Sequence, residues 1–203
     1  MSATLDVAIE RWPVAGSFTI ARGAKTHVDV VVATLTENGV SGRGEATPIY
    51  YDGESAESVA AQLRSGEPLG RGAARNALDC AMWDLKAKQA GVPAWQVAGL
   101  DAPRPLVTAY TISLGEPARM REDAARAAPT SPLLKLKLSG EGDIDRVAAV
   151  REGAPRARLI VDANEAWTGR DIVAEATALL AFGVELIEQP VRLRFCSPYV
   201  HRF

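Results

Sequence analysis

An α/β protein is the fold class that this sequence predicts, on three observations. Before Pro105, short runs alternate apolar and polar residues and then give way to helical spacing. Beyond Pro105, strand-like and helix-like segments alternate, with strand starts near 107, 132, 157 and 184, a repeat of about 25 to 27 residues that suits consecutive βα units. The units share no obvious sequence similarity, so the repetition is architectural. Third, several of these strands end in charged residues, in the register expected where chemistry gathers at the carboxyl ends of parallel strands. That rule holds for doubly wound sheets and for (β/α)8 barrels, and the spacing leaves both open.

Taken in order, Leu5, Val7 and Ile9 alternate with polar residues as in a half-buried strand. Gly16 to Gly23 reads as a loop. His27 to Thr36 is β-branched, Asn38-Gly39 marks a turn, and Val40 to Glu45 returns as a partner strand, which makes a small antiparallel meander. Pro48 to Gly53 is a second loop, and Asp52 or Ser55 can cap a helix running towards Leu63. Ala74, Leu78, Ala81 and Leu85 recur at helical spacing, with Gly91 and Pro93 as the stop. Trp83, Asp84 and Lys86 on that helix read as packing and a solvated face. The later units pair strand Val107 to Ser113 with helix Glu116 to Ala128, and strand Leu133 to Leu138 with helix Asp143 to Glu152. Strand Arg158 to Asp162 leads to a helix from about Arg170 to Phe182, capped by Thr168, and Val184 to Glu188 is a fourth strand.

Composition narrows the function classes. The chain has 203 residues, 47% hydrophobic and 24% charged, with a formal net charge of −2, which is ordinary for a globular protein and gives no footprint for nucleic acid. Cys80 and Cys196 have no metal-ligand or CxxC spacing. The start of the chain has no leader pattern and no run approaches membrane-spanning length, so a reducing cytoplasm is expected, with no membrane partner. His27 and His201 are the only histidines, so a general base is sought among lysines and carboxylates.

LLKLKL, Leu133 to Leu138, puts Lys135 and Lys137 on one face of a strand and the leucines on the other. Adjacent ammonium groups favour loss of a proton from one, which is how a lysine becomes a base near neutral pH. An edge strand guarded by lysines is the competing reading. The next strand ends at Asp162 in VDAN and the last at Glu188 in EQP. Alone, Asp162 reads as a turn cap and Glu188 as a salt-bridge partner. Jointly, two amines and two carboxylates at neighbouring strand ends favour a base beside hard oxygen ligands, which suit Mg²⁺.

Lys135-Leu136-Lys137, the VDAN around Asp162 and the EQP from Glu188 resemble the enolase superfamily, specifically its muconate-lactonising subgroup. Residues 73 to 100 are similar to the helix that closes that family's N-terminal capping domain. Arg22 to Ala24 (RGA), Thr108 to Leu114 (TAYTISL) and the loop YYDGES bring the chain nearest to the dipeptide (L-Ala-D/L-Glu) epimerases. The resemblance runs from residue 4 to about 191. It implies a small α+β capping domain (1–105) followed by the first half of a (β/α)8-type barrel (106–191, about four βα units), with an atypical tail (192–203). It implies proton abstraction α to a carbonyl with Mg²⁺ as cofactor and a dipeptide or other small carboxylate as substrate. By that analogy Lys137 is the acid/base, and Lys135 is the neighbour that lowers its pKa. Asp162 and Glu188 are metal ligands supported by Asn164 and Gln189, and Arg22, Tyr51 and Thr111 contact substrate.

The pattern also departs from the family. A third ligand on strand five and a second lysine on strand six lie beyond this sequence, VRLRFCSPYVHRF after Pro190 looks foreign to it, and the connection Ser65 to Gly72 is short. A complete barrel of this kind occupies about 250 residues. The expectation is therefore a truncated chain with impaired epimerisation, in which another copy completes the sheet as a homo-oligomer or the fold is marginal. The rival readings are an o-succinylbenzoate synthase or muconate cycloisomerase, a non-catalytic truncated homologue, and a doubly wound domain with Asp162 as phosphoacceptor.

Overall fold

The structure, a computed structural model, describes residues 3–20 and 23–192. It divides into two compact units, one of residues 3–15 and 26–105, the other of residues 16–20, 23–25 and 106–192.

The first unit holds most of a three-stranded sheet in the order β1 (Thr4–Ile20), β2 (Gly23–Glu37), β3 (Val40–Ala46), residues 16–20 and 23–25 of β1 and β2 falling in the second unit. The segment around Gly16 to Gly23, expected as a loop, instead extends both strands: β1 continues through Ile20 and β2 begins at Gly23. The small residues there suggest a turn in isolation, and strand pairing overrides local composition. Glu37 pairs with Val40 across a two-residue turn in which Asn38 (φ 51°) and Gly39 (φ 78°) are both left-handed, the combination that matches strand twist.

Helix α1 (Ala56–Ser65) starts at a reciprocal capping box between Ser55 and Ser58, so Ser55 rather than Asp52 is the cap. Helix α2 (Ala73–Ala90) lays Ala74, Ala77, Ala81 and Leu85 on the sheet and ends at Gly91. The facing residues of β3 are Gly42, Gly44 and Ala46, and a methyl group added at Gly44 would lie 2.0 Å from the Ala77 carbonyl oxygen. Small residues on both sides thus let helix and strand meet backbone to backbone. Asp84 is more than a solvated residue: it accepts from the Arg43 amide and the Lys88 ammonium, each at 2.7 Å, and ties α2 to β3. A short helix, α3 (Ala94–Val97), follows.

The second unit is a run of βα units: β4 (Tyr110–Ile112), α4 (Pro117–Ala127), β5 (Leu133–Lys137), α5 (Asp143–Gly153), β6 (Arg158–Asp162), α6 (Ile172–Leu180) and β7 (Val184–Glu188). The sheet order is β4-β5-β6-β7 and every pairing is parallel. β4 is shorter than Val107 to Ser113, with Val107 exposed. The last helix is capped by Asp171, not Thr168: the Asp171 carboxylate accepts from the amides of Val173 (3.0 Å) and Ala174 (3.1 Å), while the Thr168 hydroxyl turns back to the Glu165 carbonyl.

One face of this sheet is apolar. Ile112, Leu134, Leu136, Leu138, Leu159 and Val161 are buried in a cluster with Met120 and Ala124 of α4, Val147 and Val150 of α5 and Leu179 of α6. Each fully buried leucine contributes about 1.5–3 kcal/mol relative to exposure, so the helices fix which face of β5 is left for other work. Among the described residues no helix is long and apolar enough to cross a membrane.

Candidate functional site at the strand ends

The opposite face is set by strand alternation. With Leu134, Leu136 and Leu138 turned to the helices, Lys135 and Lys137 must point the other way. Parallel register then decides their neighbours. Thr111 pairs with Lys135, Lys137 with Asp162, and Asp162 with Glu188, so side chains on three adjacent strands share one layer at their carboxyl ends.

These groups are in contact. Lys137 Nζ donates to Asp162 Oδ2 at 2.6 Å and to Asn164 Oδ1 at 3.2 Å. Lys135 Nζ lies 3.1 Å from the same Asp162 oxygen and donates to Glu188 Oε2 at 2.5 Å. Exposure grades across the layer: the side chain of Asp162 is 2% exposed, Lys137 10%, Lys135 20% and Glu188 42%. The deepest pair is Lys137 with Asp162, and Glu188 forms the open edge.

Adjacent ammonium groups alone predict a depressed lysine pKa. At Lys135, the neighbour rather than the lysine expected to act as base, burial pulls the value down, but hydrogen bonds and charge from Glu188 and Asp162 outweigh it and hold the value above that of ordinary lysine. Burial likewise pushes Asp162 up, and hydrogen bonds from Lys137, the Asn164 amide and Lys135 more than reverse this, so its carboxyl is held below the usual range. Each lysine has a carboxylate at hydrogen-bond distance, which like-charge reasoning on the lysines alone leaves out.

The loops beyond the carboxylates are bent sharply. Asn164 (φ 47°), Glu165 (φ 69°) and Gln189 (φ 46°) are left-handed without being glycine, a conformation that costs on the order of 1 kcal/mol or more apiece. Hydrogen bonds hold them there. The Asn164 amide donates to Asp162 Oδ1 at 3.0 Å, Asn164 Nδ2 to Gln189 Oε1 at 3.2 Å, and the Glu165 amide to the Gln189 carbonyl at 2.7 Å. Asp162 is therefore both a turn cap, the plainer of its two sequence readings, and a partner of both lysines.

Of the residues singled out in the sequence, Lys135, Lys137, Asp162, Asn164, Glu188 and Gln189 come together, with Thr111 beside Lys135 in the sheet register. Tyr51 belongs to the first unit, in a 3-10 turn where it is 64% exposed and packs edge-to-face on Tyr50. Arg22, Cys196, His201 and the tail from residue 193 onward lie outside the described residues. Sequence reasoning missed Asp143, read there only as the start of a helix; its carboxylate is buried just behind the rim, and an acidic residue after the SGEG turn is its only trace in the sequence.

The donor chemistry suits a hard cation. Two carboxylates at neighbouring strand ends, register partners, match the one or two carboxylates by which Mg²⁺ is often held. Among the described residues no group of three or more histidine, cysteine, aspartate and glutamate side chains converges on one point.

Comparison with known proteins gives a consistent result. The chain is 39% identical to the L-Ala-D/L-Glu epimerase of Escherichia coli K12 over an alignment that covers 93% of the chain and 63% of that protein. Its fold matches that of an enolase family member from Agrobacterium tumefaciens with homology to dipeptide epimerases, solved with bound sodium and L-Ala-L-Glu. The TM-score is 0.87 at 43% identity, covering 94% of this chain and 63% of that one. A dipeptide epimerase from Enterococcus faecalis V583, complexed with Mg and L-Leu-L-Tyr, matches with TM-score 0.86 at 28% identity, covering 95% of this chain and 62% of that one. The chain thus spans somewhat less than two thirds of the length of these proteins. Residues 54–99 match the mandelate racemase/muconate lactonizing enzyme N-terminal domain and residues 112–195 the enolase C-terminal domain-like family. With a capping domain followed by the opening βα units of a barrel, and with family matches over both, the chain belongs to the enolase superfamily, in its mandelate racemase/muconate lactonizing branch.

Proposed function

We propose that this chain carries the lysine-bearing side of a dipeptide-epimerase site, in which Lys137 takes the proton from the carbon α to a carboxylate. The observation that carries the reading is the layer formed by Lys137, Asp162 and Glu188 in register on three adjacent strands, with Lys135 against both carboxylates. Lys137 Nζ, as the neutral amine left once it has given a proton to solvent, would accept the α-proton, and Lys135 would present a positive charge to the carboxylate as negative charge builds on its oxygens. Asp162 and Glu188 would hold Mg²⁺, whose charge would favour loss of that proton. Asn164 and Gln189 would fix the two ligands, while Thr111, Arg22 and Tyr51 would contact substrate. The substrate class is a dipeptide such as L-Ala-L-Glu, the cellular setting the cytoplasm. The capping domain would span 1–105 and the barrel segment 106–191.

Both lysines stand on one strand and one face, so they reach one side of the α-carbon. Inversion needs proton transfer on both sides, so for this chain the reading predicts exchange of the α-proton with solvent in excess of epimer formation. The experiment is incubation of the 203-residue chain with Mg²⁺ and L-Ala-L-Glu in D₂O, following deuterium at the glutamate Cα by mass spectrometry and the epimer by chiral chromatography. Deuterium uptake that disappears in Lys137→Ala supports the proposal. Uptake that survives in Lys137→Ala, or none in the unsubstituted chain at saturating Mg²⁺, overturns it.

A further inference from the structure

Asp143 stands in the first turn of α5, a common place for an acidic residue on a helix surface, yet its side chain is only 1% exposed. It does not cap its own helix, whose N-cap is Gly142. Each of its oxygens instead accepts two hydrogen bonds. Oδ1 accepts from the Ser139 amide at 2.9 Å and Arg146 Nη1 at 3.2 Å; Oδ2 accepts from the Gly140 amide at 2.8 Å and Trp167 Nε1 at 2.9 Å.

The donors come from separate parts of the rim. Ser139 and Gly140 follow Lys137 at the end of β5, and Trp167 lies in the loop that follows Asp162 at the end of β6. Arg146 reaches on to the Gly115 carbonyl, beyond β4, at 3.0 Å, and the Trp167 amide donates to the Pro190 carbonyl, just beyond Glu188, at 3.0 Å. One buried carboxylate thereby links the loops that leave all four strands of the sheet.

We infer that Asp143 is a positioning residue, which fixes Lys137 against Asp162 by clamping together the loops that leave β5 and β6. Its role as such rests on the proposed reading of Lys137 and Asp162 as reacting groups, although the clamp itself does not. An isosteric amide cannot replace it. In Asp143→Asn one oxygen becomes an NH₂ facing two donors, so one pair of bonds is lost whichever way the amide turns. Trp167→Phe removes the Nε1–H donor and leaves a cavity where the larger buried indole stood, an effect for which a cavity variant elsewhere in the same core is the control.

The test is NMR of the 203-residue chain without metal or substrate, comparing these two variants with Val150→Ala, which opens a cavity under the same helix without touching the clamp. Expected in Asp143→Asn and Trp167→Phe are faster hydrogen exchange at the Ser139 and Gly140 amides, by about tenfold, and displaced Lys137 Cε and Asn164 amide signals, with neither change in Val150→Ala. Signals that stay in place in Asp143→Asn, or move equally in Val150→Ala, would leave Asp143 with a purely structural role and overturn the inference. Should Asp143→Asn fail to fold, Trp167→Phe carries the same comparison. No turnover enters this readout, so an unsubstituted chain without α-proton exchange would sink the proposed activity alone. Where exchange is measured, the variants should lower kcat and leave KM within about twofold.

Discussion

Replacing Asp162 with asparagine removes one negative charge from the centre of the lysine layer and leaves the shape unchanged. Three donors converge on that carboxylate: Lys137 Nζ at 2.6 Å, the Asn164 amide at 3.0 Å and Lys135 Nζ at 3.1 Å. An asparagine oxygen can still accept from the Asn164 amide, and Lys135 keeps Glu188 at 2.5 Å. The loss therefore falls on Lys137, whose side chain is 10% exposed and which retains the Asn164 oxygen at 3.2 Å. Removing one member of a buried pair typically costs about 3–5 kcal/mol, because the remaining charge is uncompensated. Against a domain stability of about 5–15 kcal/mol, that would leave the second unit marginal. Native-state hydrogen exchange at the Leu136 and Val161 amides, in the centre of the sheet and without divalent metal, measures this loss directly. Substituting Lys137→Met in the same chain removes the ammonium that Asp162 had faced, so the double variant should recover at least about 2 kcal/mol relative to the sum of the single losses. A loss below about 1 kcal/mol for Asp162→Asn, or strict additivity in the double variant, would refute the view that the lysine depends on this carboxylate.

Stability should also depend on pH from both ends. Asp162 is held below the usual carboxylate range, so its contribution is present above the unfolded value of about 3.9 and is lost as pH falls through its native value. Lys135 is held above the ordinary lysine value, so its contribution is complete below about 10.4 and is lost as pH rises through its native value. Urea midpoints across pH 3 to 11 should show both limbs, the acid limb weakened in Asp162→Asn and the alkaline limb in Lys135→Met. In the first unit, Gly44→Ala places a methyl group 2.0 Å from the Ala77 carbonyl and 2.6 Å from the Ala81 amide, both backbone atoms of α2. The helix must move, at a cost of about 1–3 kcal/mol or more, whereas Gly66→Ala, which meets nothing within 4 Å but sits at φ 71°, should cost only about 1 kcal/mol. Urea denaturation of the two variants side by side reads the difference.

The second unit was largely legible in the sequence because its pattern is doubly constrained. Leu134, Leu136 and Leu138 must face the helices, so Lys135 and Lys137 could be placed on the other face without knowing the fold. The ends of β5, β6 and β7 were equally readable from apolar runs that stop at a charge. Two things were not. The ion pairs across strands depend on register, which no local pattern fixes, and at Lys135 they outweigh the burial that would otherwise pull its value down. Asp143 is hidden for a different reason: three of its donors are three or four residues away and only Trp167, at 24, is distant, but an acidic residue opening a helix looks identical whether it faces water or a clamp. The length of β1 and β2 is masked in the sequence because Gly16, Ser17 and Gly23 read locally as a turn. The cap of α6 is ambiguous in the sequence because Thr168 and Asp171 compete for the same signature.

The alternation in β5 has a consequence for how such a chain can vary. Because side chains swap faces at every step, deleting or inserting a single residue within Leu133–Lys137 would transpose the two layers, burying the amines against α4 and α5 and handing leucines to the rim. Substitution can therefore tune this strand gradually, but a change in its length cannot. The strand behaves as a reading frame for chemistry, and variation in length is confined to the loops between strands.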